Sequence, residues 1–162
     1  MNPGHPHNGI VILVLFLLAL VLTIMPLPLW AQDYRPQWVA LMLIYWCLAL
    51  PERIGVATAW GLGIMQDVVS GALLGQHALS LSVLAFLTVR LHQRIRIFPW
   101  WQQALSVLVL LLLERLLSLW VIGTAGQPTP SPRYWIACLV GMLLWPWLYI
   151  VLRDLRRRFM VS

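Results

Sequence analysis

Charge is what this 162-residue chain has least of. Only 10% of its residues are Asp, Glu, Lys or Arg, while 61% are hydrophobic; a soluble domain carries about 25% charged and about 45–50% apolar residues. Lysine is absent, so the eleven basic residues are all arginines, set against five acids for a net charge of +6. A fold this poor in polar groups cannot face water on all sides, which excludes an ordinary soluble domain and leaves one compact unit in lipid. Two cysteines, Cys47 and Cys138, both lie in apolar stretches without CxxC spacing or His and Cys neighbours. They read as small packing residues rather than a redox or metal pair. No P-loop, GxGxxG, nucleophile–base signature or metal quartet occurs. Three of the acids, Asp33, Glu52 and Asp154, sit at the ends of apolar blocks, which leaves little for catalysis; the expectation is a non-enzyme without metal or cofactor.

What is present comes in blocks. Apolar runs cover 10–25, 37–50, 54–70, 77–90, 100–122 and 134–152, separated by short stretches holding Pro, Arg, Gly and Gln. This predicts an all-α polytopic membrane protein, a single integral membrane domain of about six transmembrane helices, with residues 153–162 as a basic tail. Spanning the hydrocarbon takes about 20 residues. The second and fourth blocks fall short of that, so they must borrow flanking residues, tilt little or thin the bilayer, and four or five crossings remain open. The first block reads as a retained helix rather than a cleaved signal peptide. Its leader has no Lys or Arg, and Trp30 is bulky where a processing site favours small residues.

Arginine distribution sets an orientation. With six crossings, Arg53, Arg90, Arg94, Arg96, Arg153, Arg156, Arg157 and Arg158 share one side, against Arg35 and Arg133 on the other. The Arg-rich side is expected to be cytoplasmic, with both termini there. The positive balance therefore reports topology and headgroup anchoring, not nucleic acid. Trp30, Trp38, Trp100, Trp101 and Trp135 fall near block ends, at headgroup level; Trp46, Trp60, Trp120, Trp145 and Trp147 are not placed by this rule.

Three groups of residues are candidates for function. Gly55, Ala59, Gly63, Asp67, Gly71 and Gly75 recur every four positions, drawing a stripe of small residues that lets another backbone approach. Internal helix packing is one reading and a docking groove for a partner helix the other; Gly71 and Gly75 also suit a tight turn or re-entrant bend. Arg35, Asp67, Glu114 and Arg115 are expected to form an outer-leaflet polar cluster, with Arg35 as the counter-charge of Asp67. Glu114 and Arg115 point about 100° apart on one helix, so one faces the bundle while Arg115 snorkels or meets an acid elsewhere. The cluster serves as a structural network or as a ligand or partner site. Arg153, Arg156, Arg157 and Arg158 suit stop-transfer anchoring and anionic lipid, with a cytoplasmic partner as the alternative. His5 and His7 belong to a solvated leader, and His77 and His92 to helix ends.

The order of motifs carries a resemblance. Arg35-Pro36-Gln37-Trp38, then Leu43-Ile44-Tyr45-Trp46-Cys47-Leu48-Ala49-Leu50-Pro51-Glu52-Arg53, then the segment from Gly61-Leu62-Gly63 through Gln66-Asp67 to Ser70-Gly71 and Gly75 resemble the bacterial rod shape-determining MreD family. Trp101-Gln102-Gln103-Ala104-Leu105 and Leu144-Trp145-Pro146-Trp147 extend the likeness over nearly the whole chain. The resemblance implies a non-catalytic scaffold or regulatory subunit of the inner-membrane cell-wall elongation complex. MreC is the first expected partner, with RodA, the elongation transpeptidase and MreB as fellow members and a homo-oligomer open. The family is similar in fold to the substrate-binding subunits of energy-coupling-factor transporters, which brings the competing expectation of a subunit that binds a vitamin or lipid.

Overall fold

A computed structural model describes residues 6–128 and 132–159, with the side chains of 6–8, 32 and 33 left aside. His5 and the end of the predicted tail lie outside the described residues. The described residues form six α-helices: α1 (Pro6–Ile24), α2 (Trp38–Ala49), α3 (Val56–Ser70), α4 (Gln76–Ile97), α5 (Trp100–Thr124) and α6 (Ile136–Arg158). Short 3₁₀ turns at Leu29–Tyr34 and Pro132–Trp135 lead into α2 and α6. No strand occurs among the described residues.

The short second block has a physical explanation other than tilt or bilayer thinning. All ten residues from Val39 to Leu48 are buried, so α2 is the hub of the bundle, packed by α1, α4, α5 and α6. A helix apolar all round is a buried helix. At 1.5 Å per residue its twelve residues reach only about 18 Å, yet shielded by protein they need no match to lipid thickness. The outer helices carry the lipid-facing surface: Val68, Val109 and Leu143 are each more than 60% exposed. Between such helices lipid gives no hydrophobic drive, so close packing and polar contacts hold the bundle together.

Two boundaries depart from the expected blocks. The fourth was predicted to close at Arg90, but α4 runs on to Ile97 and takes Arg90, His92, Arg94 and Arg96 into its last two turns. Arg, Leu, Gln and Ile are good to tolerable helix formers, and nothing breaks the helix until Phe98 precedes Pro99. Likewise α6 continues through Pro146 to Arg158, so the described arginines of the predicted tail complete a helix. Arg156, Arg157 and Arg158 occupy its last turn, where cations complement the macrodipole.

Among the described residues two helices, α5 and the 132–158 segment, are long and apolar enough to cross a membrane; the helical stretches 9–24 and 38–49 are apolar but shorter. Trp46 and Trp145 are core residues, 1% and 0% exposed, whereas Trp60, Trp120 and Trp147 stand on the outer surface. Trp145 donates to Gln103 Oε1 at 3.2 Å, and Gln103 in turn donates to the Ile95 carbonyl at 3.2 Å. That chain ties α6 to α5 and to the end of α4.

Candidate functional site

The small-residue stripe divides between two tasks. A Cβ placed on Gly63 would lie 2.3 Å from Ala78 Cα and 2.4 Å from its nitrogen, so α3 and the first turn of α4 meet backbone to backbone there. Ala59 and Asp67 are buried on the same face. Gly71 and Gly75, by contrast, have φ of 68° and 99° and shape the turn from α3 into α4; this is the left-handed region that glycine enters without strain. The N–H groups of Gly71 and Ala72 both return to the Asp67 carbonyl, closing the helix as a left-handed cap does. Gly55 precedes α3, and a Cβ there would meet nothing within 4 Å.

Asp67 is 1% exposed, and its partners differ from the one expected. Oδ2 accepts from the Gly75 N–H at 2.9 Å, with the Ala78 N–H further off at 3.5 Å, and Oδ1 accepts from the His77 N–H at 3.0 Å. His77 Nδ1 lies 2.8 Å from Oδ1. The carboxylate thus caps the N-terminus of α4 from across the turn, where orphan N–H groups and the dipole favour an anion. Arg35 is not its counter-charge. The Arg35 guanidinium donates to the carbonyls of Thr23 and Met25 instead, satisfying the end of α1. Sequence distance could not separate these options, because the turn alone brings 75–78 back over residue 67.

Glu114 faces inward from α5 and is 4% exposed. Gln37 donates to its Oε2, while Ser80 and Ser118 donate to Oε1 at 3.2 and 3.3 Å. The carboxylate therefore joins α4 and α5 to the residue that opens α2. Arg115 sets its Cζ 4.1 Å from the centroid of the Tyr134 ring, a cation–π contact where snorkelling or an acid on another helix was expected. Gln37, His77, Ser80, Ser118 and Tyr134 were not singled out by sequence reasoning as members of this network. The available signal was polarity within apolar runs, at Ser80 and Ser118 above all.

Gln37, His77, Glu114, Arg115 and Tyr134 line a cavity of about 300 Å³ to which all six helices or their immediate approaches contribute. Thr23 comes from α1, Arg35 and Gln37 from the approach to α2, Gln66 and Ser70 from α3, and His77 from α4. Glu114 and Arg115 come from α5 and Tyr134 from the turn before α6. Three of the four expected cluster members thus line one cavity, and Asp67 stands just behind it through His77. At the opposite end, Arg96, Arg153 and Arg156 gather with Tyr45 and Tyr149 around a small recess of about 40 Å³. Arg157 and Arg158 follow at the end of α6. No group of three or more His, Cys, Asp or Glu side chains arranged to hold a metal occurs among the described residues.

Fold and composition define an all-helical integral membrane protein, a six-helix bundle with polar groups gathered in its interior. The family model for rod shape-determining protein MreD matches residues 7–155, and the chain belongs to that family. It is 31% identical over 147 residues to the rod shape-determining protein MreD of Haemophilus influenzae (strain ATCC 51907 / DSM 11121 / KW20 / Rd), covering 91% of each chain. No solved structure matches it.

Proposed function

We propose that the protein is a non-catalytic scaffold or regulatory subunit of the bacterial cell-wall elongation complex, required for rod shape. The observation that carries this reading is the family match from residue 7 to residue 155, which takes in all of α2 to α5 and nearly all of α1 and α6. In this reading the chain crosses the inner membrane six times with both termini cytoplasmic. The Arg-rich ends of α4 and α6 then face the cytoplasm, and the cavity opens on the outer half.

Its partners are MreC first, then RodA, the elongation transpeptidase and MreB, engaged through helix packing that favours the active arrangement of the complex. The Ala59–Gly63–Asp67 face is already occupied by α4, so partner helices dock on the outward faces, such as the exposed apolar side of α1. Depletion in a rod-shaped host is expected to give rounded cells, and crosslinkers on α1 are expected to capture MreC. Rods of normal shape after depletion would refute the role. Crosslinks to MreC from Gly63 would refute the assignment of faces.

A second reading, a small-molecule binding subunit of a transporter, draws support from the cavity of about 300 Å³, a volume at the low end of ligand sites. It predicts co-purification with an ATP-driven energising module, which the scaffold reading does not.

A further inference from the structure

Residues lining the cavity carry buried polar atoms that have no partner among the described residues. Arg35 Nε, Arg115 Nε and Gln66 Oε1 are all buried and unpaired, and all three residues line the same space. Buried donors and acceptors are almost always satisfied, because each orphan costs about 1–3 kcal/mol. Three around one cavity, reached from three different elements, form a pattern with chemical content.

Two of the three atoms are guanidinium donors, so the missing partner carries oxygen acceptors and negative charge. The nearby acids do not supply it. Glu114 is engaged by Gln37, Ser80 and Ser118, and Asp67 by the start of α4. Among the described side chains Arg35 reaches the carbonyls of Thr23 and Met25 and Arg115 reaches Tyr134, and no described carboxylate is paired with either cation. The third orphan is an acceptor, which asks for a hydroxyl or amine donor on the same ligand.

We infer that this cavity binds a phosphate-bearing head group with an adjacent hydroxyl or amine, its phosphate between Arg35 and Arg115 and its donor on Gln66. A phospholipid head group such as phosphatidylglycerol or phosphatidylethanolamine has this chemistry, and so does protonated inorganic phosphate. Phosphatidylcholine has the phosphate but no donor. The cavity holds the equivalent of about ten waters at about 30 Å³ each, room enough for a head group. The inference concerns occupancy alone and stands whether the chain serves as scaffold or as transporter subunit.

The test uses the full chain purified in detergent. Lipid binding is titrated by native mass spectrometry with phosphatidylglycerol, phosphatidylethanolamine and phosphatidylcholine, and thermal stability is followed with sodium phosphate against sodium chloride at equal ionic strength. Phosphatidylglycerol or phosphatidylethanolamine is expected to bind at least tenfold more tightly than phosphatidylcholine. A response to inorganic phosphate alone supports the same site with a soluble source. Arg115→Gln is expected to weaken binding about tenfold and Arg115→Lys less, whereas Arg153→Gln, at the other end of the bundle, leaves it unchanged. Should Arg115→Gln fail to fold, Gln66→Leu with the wild-type lipid ranking decides the matter. Equal binding of all three lipids with no response to inorganic phosphate, no response to any probe, or an equal loss in Arg153→Gln would overturn the inference.

Discussion

Removing the Asp67 side chain tests the central polar contact of the bundle. Its carboxylate receives the N–H groups of Gly75 and His77 at 2.9 and 3.0 Å, and the His77 ring at 2.8 Å, in a site 1% exposed. Losing an N-cap oxygen costs about 1 kcal/mol (range about 0.5–2). Leaving buried donors without a partner adds about 1–3 kcal/mol. Asp67→Ala is therefore expected to destabilise the protein by about 2–4 kcal/mol, summing cap loss and orphaned donors. Asp67→Asn keeps one acceptor oxygen but turns an NH₂ towards a donor; about 1–2 kcal/mol is expected. Reversible unfolding by sodium dodecyl sulfate in mixed micelles, followed by tryptophan fluorescence, measures both. The same assay supplies a double-mutant cycle of Asp67→Asn with Arg35→Gln. Since Arg35 is bound to the end of α1, the coupling should stay within about 0.5 kcal/mol, as for independent sites. An Asp67→Ala protein as stable as wild type, or a clear coupling between the two residues, would refute the capping argument.

Other substitutions probe separate contacts. Gly63→Leu drives a side chain into the backbone at Ala78, 2.3 Å from where its Cβ would stand. Overpacking of this kind costs about 1–3 kcal/mol or more, so poor recovery from membranes and loss of rod shape on complementation are expected, where Gly61→Ala, with open space around it, should complement. Glu114→Ala strands Gln37, Ser80 and Ser118 and should destabilise more than Glu114→Gln by about 1–2 kcal/mol in the same unfolding assay. Trp145→Phe keeps the ring packing but removes the donor to Gln103, with an expected loss of about 1 kcal/mol that a Gln103→Leu partner substitution should partly relieve. Replacing Arg153, Arg156, Arg157 and Arg158 by Gln should reduce the fraction of C-terminal reporter fusions that are cytoplasmic; an unchanged fraction would show that these arginines do not set the orientation.

The α3–α4 hairpin shows best what was readable in advance. Four-residue spacing of Gly and Ala announced a face for close approach, and two of its glycines suited a turn. Which helix filled the face was hidden, because a groove for the chain's own α4 and one for a foreign helix have the same sequence signature. The arginine clusters at Arg90–Arg96 and Arg153–Arg158 were visible, but their helical continuation was not. Charge marks the edge of hydrocarbon, whereas a helix ends only where backbone chemistry changes, here at Phe98-Pro99.

By itself the sequence determined the solvent. Few charges, arginines at block ends and long apolar runs leave lipid as the medium for most side chains, and ordered motifs were enough to suggest the family. Tertiary structure alone decided the pairings. Asp67 met backbone N–H groups instead of Arg35, Glu114 met Gln37 and two serines, and Arg115 met an aromatic face, while a twelve-residue helix became the hub. Hydrophobicity is a property of each residue and adds up along the chain. A polar contact depends on angles and distances between segments far apart in sequence, and these exist only once the helices have packed.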